Sequence, residues 1–148
     1  MKKFLSKVRD FLPEDRIYTD SLRRFAWGTD AGFYRLVPQG GIRAASEEEG
    51  SRVLQVASAH GVPVTFRAAG TSLSGQAVSD SVLLVAGKNW EKMHTSDSGA
   101  TVVLQPGVVG SKVNDFLKPY GRKFGNCVGW TWSYISLHRR IYISIPCS

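Results

Sequence analysis

The sequence predicts an α+β fold: a small parallel β-α-β subdomain followed by the start of a second, more antiparallel α/β subdomain. Three observations carry this. Ser46-Glu47-Glu48-Glu49 has the pattern of a capping box, and the helix it opens runs to His60-Gly61 between two extended apolar runs. Ser81-Val82-Leu83-Leu84-Val85 is a strand of the fully buried kind. Beyond it, Met93-His94-Thr95 and Thr101-Val102-Val103-Leu104 are separated by the turn residues Asp97-Ser98-Gly99.

In chain order, residues 2–12 suit an amphipathic helix with Phe4, Leu5, Val8, Phe11 and Leu12 on one face and Pro13 ending it. Ile42-Arg43-Ala44 is extended. In the next helix Ser46 is the N-cap and Glu49 the N3 residue, with Val53, Leu54, Val56 and Ala57 turned inward and Gly61 as the C′ glycine. Val62-Pro63-Val64-Thr65-Phe66 is then a β-branched strand, so residues 40–85 form a β-α-β unit of parallel strands, for which a right-handed crossover is expected. Residues 86–125 make the second subdomain. There Ser111 caps a short helix through Val113, Phe116 and Leu117, which Pro119 and Gly121 terminate.

The texture changes after Gly125. The last acidic residue is Asp115, the last alanine is Ala100, and residues 126–148 contain no lysine but hold Trp130, Trp132, Tyr134 and Tyr142. Two readings stand at this point. Ile141, Ile143 and Ile145 alternate with Tyr142 and Ser144 as a strand would, and the same segment reads as an out-of-frame end.

A chain of 148 residues with 43% hydrophobic and 21% charged residues is one globular domain, not a disordered or collagen-like polymer. No apolar run approaches the ~18 residues of a membrane-spanning helix. Lys7, Arg9 and Asp10 interrupt what begins as a signal-like Met1–Leu5, so an intracellular chain is expected. The net charge is +7, but the bases are scattered, without the basic stripe or zinc spacing of a nucleic-acid reader. A basic surface suited to phosphate-bearing ligands is the simpler reading. Cys127 and Cys147 form no CxxC, so neither a metal centre nor a disulfide framework follows.

The informative stretch is Arg67-Ala68-Ala69-Gly70-Thr71-Ser72-Leu73-Ser74-Gly75-Gln76-Ala77, at the C-terminal end of a strand where α/β sheets bind ligands. Small residues allow close backbone approach, and consecutive N–H groups form a concave nest for an anion. Thr71, Ser72 and Ser74 add hydroxyl donors, and Arg67 adds positive charge. Phosphate or pyrophosphate is the natural guest. Gly70 and Gly75 have Walker A glycine spacing, yet Gln76-Ala77 replaces the lysine and hydroxyl that nucleotide hydrolysis needs. Neither G-x-G-x-x-G nor G-x-S-x-G is present in the loop. His94 has no carboxylate partner in the pattern, Asp30 and Asp80 suit solvated or capping roles, and Trp27 and Trp90 suit packing. No catalytic residue is assigned.

Phe66 to Ala77 resembles the pyrophosphate loop of FAD-linked oxidases with the PCMH-type FAD-binding domain, the vanillyl-alcohol-oxidase-like superfamily. Tyr18-Thr19-Asp20-Ser21-Leu22-Arg23-Arg24-Phe25-Ala26-Trp27-Gly28-Thr29-Asp30-Ala31 is similar to the leader of the D-lactate and glycolate dehydrogenase-like branch, whose members fuse the flavin domain to an iron–sulfur region. Leu104-Gln105-Pro106-Gly107-Val108 resembles the family's second approach to the cofactor. The resemblance implies FAD as cofactor, held by Arg67, Ala68, Ala69, Gly70, Thr71, Ser72, Leu73, Gly75, Gln76, Pro106 and Gly107, with the pyrophosphate against N–H groups between Ala68 and Leu73. It implies oxidation of a small 2-hydroxy acid in the parent enzyme, with any iron–sulfur cluster outside this chain. The location expected from the interrupted signal-like start is cytoplasmic, with peripheral association at the inner membrane face left open.

After Tyr120–Gly125 the family's next phosphate- and flavin-holding segments are replaced by Asn126-Cys127-Val128-Gly129-Trp130. The expectation is therefore an incomplete PCMH-type fold over residues 1–125 and a divergent tail over 126–148, out of frame or native. Weak or absent FAD retention, negligible turnover and self-association through the tail follow from it. A stand-alone phosphate- or nucleotide-binding module without redox activity is the alternative function.

Overall fold

The fold is described from a computed structural model, over residues 1–96, 99–123 and the backbone of 141–144. The divergent tail and the self-association expected of it otherwise lie outside the described residues. The chain divides into two compact units, Met1–Gly87 and Lys88–Ser148.

In the first unit, α1 (Lys2–Arg9) opens the chain, β1 is Ile17–Tyr18, α2 is Ser21–Ala26, β2 is Gly40–Ala44, α3 is Glu47–Ala59, β3 is Val64–Arg67 and β4 is Val82–Ala86. The sheet order is β1-β2-β4-β3. β4 runs parallel to both β2 and β3, pairing Ile42 with Leu84 and Phe66 with Leu84, while β1 adds antiparallel to β2. The β2-α3-β3 connection therefore skips one place, and the most apolar strand fills the gap. Burial decides this order: Val82, Leu83, Leu84 and Val85 are all buried, so β4 belongs in the centre, whereas Val64, Thr65 and Phe66 are half-exposed at the edge.

α1 packs on α3, and α3 on β2. Phe4 and Val8 are fully buried with Val53 and Ile42. The N-terminal helix is about one turn shorter than the apolar pattern predicts: it ends at Arg9, and Leu12 reaches the core from the turn that follows. Arg9 pairs with Glu14 across that turn, at 2.6 and 2.9 Å. In α3, Val53 and Ala57 face inward, but Leu54 is 39% exposed. With Gly50 also buried, the inward stripe follows the 50-53-57 spacing and turns Leu54 to the flank.

Ser46 caps α3 through its Oγ, which accepts from the Glu49 N–H at 3.3 Å. The reciprocal half of the box is displaced by one residue. The Glu49 carboxylate accepts from the Ala45 N–H at 2.7 Å, and from Arg16 at 2.7 and 3.0 Å. Gly61 takes φ +61° at the C-terminal stop, the left-handed conformation the sequence reserves for it.

In the second unit β5 is Met93–Ser96, β6 is Thr101–Leu104, α4 is Gly110–Leu117 and β7 is Ile141–Ser144. The three strands form an antiparallel sheet with β6 central, pairing Thr95 with Val102 and Val102 with Ile143. The backbone of residues 141–144 is thus a strand, as their alternation predicts. Val102, Leu104, Val108, Val113 and Leu117 form this unit's core. Ser111 is not the cap of α4: the N-cap position falls two residues earlier, at Val109, with no side-chain cap. Gly121, at φ +63°, ends the turn that follows α4. Parallel strands around a helix, then an antiparallel sheet, are the α+β arrangement the sequence predicts.

Candidate functional site

The loop that follows β3 begins at Arg67 and returns to the body at Ala77. It leaves the sheet beside the central strand β4, so its first residues stand at the C-terminal edge of the parallel strands. Arg67 is the last residue of β3 and is only 8% exposed. Its Nη1 donates to the carbonyl oxygens of Thr29 and Ala77, both at 2.9 Å, and to that of Trp27 at 3.3 Å. Burial holds this guanidinium below its ordinary pKa, and the charge of Asp30 partly restores it. The sequence suggests a cation aimed at phosphate; the fold uses at least one arm of that cation to tie the loop's two ends to the segment before β2.

Gly70 has φ +74°, and a Cβ there would run into the Arg67 guanidinium. Glycine is needed twice over, for the left-handed backbone and for the closeness of the cation beneath it. Ser72 organises the outer half. Its Oγ accepts from the N–H groups of Ser74 and Gln76, both at 3.2 Å, and donates to Gln76 Oε1 at 3.4 Å. Gly75 also has positive φ, at +72°, and lies against the Tyr34 ring. Among the described residues, the backbone N–H groups from Ala69 to Leu73 donate to no other protein atom.

Here is the fit to the implied cofactor. Five consecutive N–H groups without a protein acceptor flank a left-handed glycine, the kind of backbone from which anion nests are built, and the loop from Ala68 to Ala77 carries no acidic side chain. A diphosphate suits such a donor set.

Pro106 and Gly107 lie in the second unit, in the turn after β6. The Val108 N–H donates to Gln105 O at 3.1 Å, and the Gly107 N–H to Trp90 O at 2.8 Å. His94 is an exposed residue of β5. Among the described residues, no group of three His, Cys, Asp or Glu is placed to hold a metal, and no helix is long and apolar enough to cross a membrane.

The segment from Trp27 to Arg35 carries no local sequence signal that places it at the site. In the structure the Leu36 N–H donates to Gly28 O at 3.0 Å, and Thr29 bridges Arg35, so the segment folds back on itself like a small hairpin. Trp27 packs on Gly41 and meets Tyr18 edge-on at 5.3 Å. The Asp30 side chain does the local capping its type suggests, accepting from the Gly32 N–H at 2.8 Å through Oδ1. Its Oδ2, by contrast, is buried without a hydrogen-bond partner among the described residues.

Residues 38–131 match the family profile of the FAD binding domain. The chain belongs to the FAD-binding-domain family. The matched span includes the whole loop after β3 as well as Pro106 and Gly107.

Its fold is similar to that of p-cresol methylhydroxylase (TM-score 0.69, 19% identity, covering 81% of this chain and 25% of that one). It is similar also to alkyldihydroxyacetonephosphate synthase (TM-score 0.66, 18% identity, 82% and 26%). A third likeness is to 4-ethylphenol oxidase from Gulosibacter chungangensis (TM-score 0.66, 16% identity, 81% and 24%). The chain spans about a quarter of the length of these structures. A search of curated protein sequences gives no match. What this FAD-binding module shares with these structures is the fold.

Proposed function

We propose that this chain is the FAD-binding portion of a flavin-dependent dehydrogenase that oxidises D-lactate or a related 2-hydroxy acid. The row of unpartnered N–H groups from Ala69 to Leu73, on a glycine-centred loop at the end of a parallel strand, carries the cofactor half of this reading. Arg67, Ala68, Ala69, Gly70, Thr71, Ser72, Leu73, Gly75 and Gln76 are the residues proposed for the pyrophosphate side; Pro106 and Gly107 are proposed as cofactor residues on the family resemblance alone. The substrate half is supported by the likeness of Tyr18–Ala31 to the D-lactate-dehydrogenase-like branch.

When bound, FAD supplies the hydride acceptor. The residues of this chain bind and orient: the N–H row meets the diphosphate charge, and Ser72 keeps the outer half of the loop in shape. No side chain described here is assigned proton transfer. The module divides into the β-α-β unit with its loop and the antiparallel unit after it, to whose sheet Ile141–Ser144 also belongs.

The test is an NMR titration of the 148-residue chain with FAD, following the amides of Ala69–Leu73, in wild type and Gly70→Val. Valine at φ +74° pushes into the Arg67 guanidinium and crowds the nest, so the loop amides should stop responding while the sheet resonances stay in place. Equal responses in a correctly folded Gly70→Val chain would remove the loop from the cofactor site.

A further inference from the structure

The loop after β3 is supported from outside the region that matches the FAD-binding family, by a segment with no assigned role. Four contacts converge on it. Arg67 Nη1 donates to Trp27 O and Thr29 O. A Cβ on Gly32 would come within 2.7 Å of Leu73 O, so the two backbones touch. The Tyr34 ring lies against Gly75. Asp30 keeps a buried Oδ2 without a hydrogen-bond partner among the described residues, and its charge acts on Arg67. Residues 27–34 all precede residue 38, where the family match begins.

We propose that the Trp27–Tyr34 segment is the positioning element of the pyrophosphate loop, with Asp30 and Gly32 as its positioning residues. This rests on the assignment of that loop to the FAD pyrophosphate.

The physical argument starts from the cation. A buried guanidinium stays where it is only if its charge and its N–H groups are answered. Carbonyls from both sides answer Nη1, and Asp30 supplies the opposing charge without closing an ion pair. The guanidinium therefore stays fixed beneath Gly70, and its field faces the same loop whose N–H groups await an anion.

Gly32 acts sterically. Its lack of a side chain lets the segment lie directly on Leu73 O and so sets how far the loop can sink. An anion nest binds well only when its N–H groups converge before the ligand arrives. A segment that holds the loop at Gly70, Leu73 and Gly75 supplies that convergence without touching the ligand.

The experiment uses the 148-residue chain and inorganic pyrophosphate as probe, with FAD in parallel. Amide resonances of Ala69–Leu73 report binding, hydrogen exchange at residues 69–76 reports loop order, and the melting temperature reports the fold. In Asp30→Asn and Gly32→Val the concentration of pyrophosphate needed for half-saturation should rise about tenfold. Loop exchange should quicken, with the melting temperature held within about 2 °C of wild type. A merely structural role would instead lower the melting temperature in step with binding, and that outcome overturns the proposal.

Gly32→Val carries the larger steric change; Asp30→Asn keeps size and shape and so serves if the valine variant fails to fold. Wild-type binding with both variants unchanged overturns the positioning role and leaves the loop assignment standing. Loop amides that answer neither pyrophosphate nor FAD in the wild-type chain overturn the loop assignment, and the positioning role with it.

Discussion

Arg67 and Ala77, ten residues apart, are joined by one hydrogen bond of 2.9 Å from a guanidinium to a backbone oxygen, and that bond closes the loop. The same Nη1 reaches back to Thr29, so entry, exit and support share one buried cation. Loop shape here is set from beneath, by a charge held in the first unit's own backbone carbonyls.

Replacing Arg67 tests how much rests on it. Lysine keeps the charge but loses the planar fork and the reach of the guanidinium, and it is harder to leave buried. Arg67→Lys should destabilise the chain by about 2 to 3 kcal/mol, the scale of losing charge-assisted hydrogen bonds from buried acceptors. Urea unfolding would measure this, and a loss below about 0.5 kcal/mol would show that the carbonyls find other partners.

Ser72 should matter locally and hardly at all globally. Its Oγ is the acceptor for two loop N–H groups at the protein surface. Ser72→Ala should leave the unfolding midpoint within about 0.5 kcal/mol of wild type, as surface changes do. Hydrogen exchange at Ser74 and Gln76 should rise about threefold or more, since each N–H loses its intramolecular acceptor. Unaltered exchange at both amides would contradict this.

Glu49 makes the first unit acid-sensitive. Burial works against its ionisation, but the Ala45 N–H and the Arg16 guanidinium outweigh burial and hold its carboxyl below the ordinary value of 4.5. A folded pKa below the unfolded one means that the stabilisation is present above the unfolded value and is lost as pH falls through the lower, folded one. Glu49→Gln should therefore cost about 1 to 2 kcal/mol at pH 7, and the gap to wild type should close as pH drops below 4.5. A gap that stays constant from pH 7 to pH 3 would show the charge is irrelevant.

Turnover by the 148-residue chain should be negligible. Hydride transfer needs the flavin ring at a fixed distance and angle from the substrate carbon, in a site closed to bulk water. The described residues hold the loop proposed for the diphosphate and the Pro106-Gly107 turn, and no side chain among them is assigned to substrate. Dye-linked dehydrogenase assays with added FAD and D-lactate or glycolate should give no rate above background. Substrate-dependent dye reduction that scales with protein would refute this.

The sequence by itself determined the local elements. Ser46, Glu49 and Gly61 bracket α3 because capping and left-handed glycine are chemistry of adjacent residues. The run Val82–Val85 announced a buried strand by its composition, and Gly70 with its small neighbours announced a tight loop with left-handed glycine. What the tertiary structure decided were relationships between residues far apart in the chain. β4 slipped between β2 and β3 because burial on both faces demands the centre of the sheet, which no single segment reveals. Leu54 turned outward because α1 and β2 fix which stripe of α3 is covered. Ser111 lost the cap to a helix that starts two residues earlier than its capping would require, with Val113 and Leu117 in its unit's core. Most of all, Arg67 looked like a ligand-facing charge because, Ala77 O apart, what satisfies it lies far off in the chain. Its acceptors on Trp27 and Thr29 come from about forty residues away, and a buried guanidinium goes where its acceptors are.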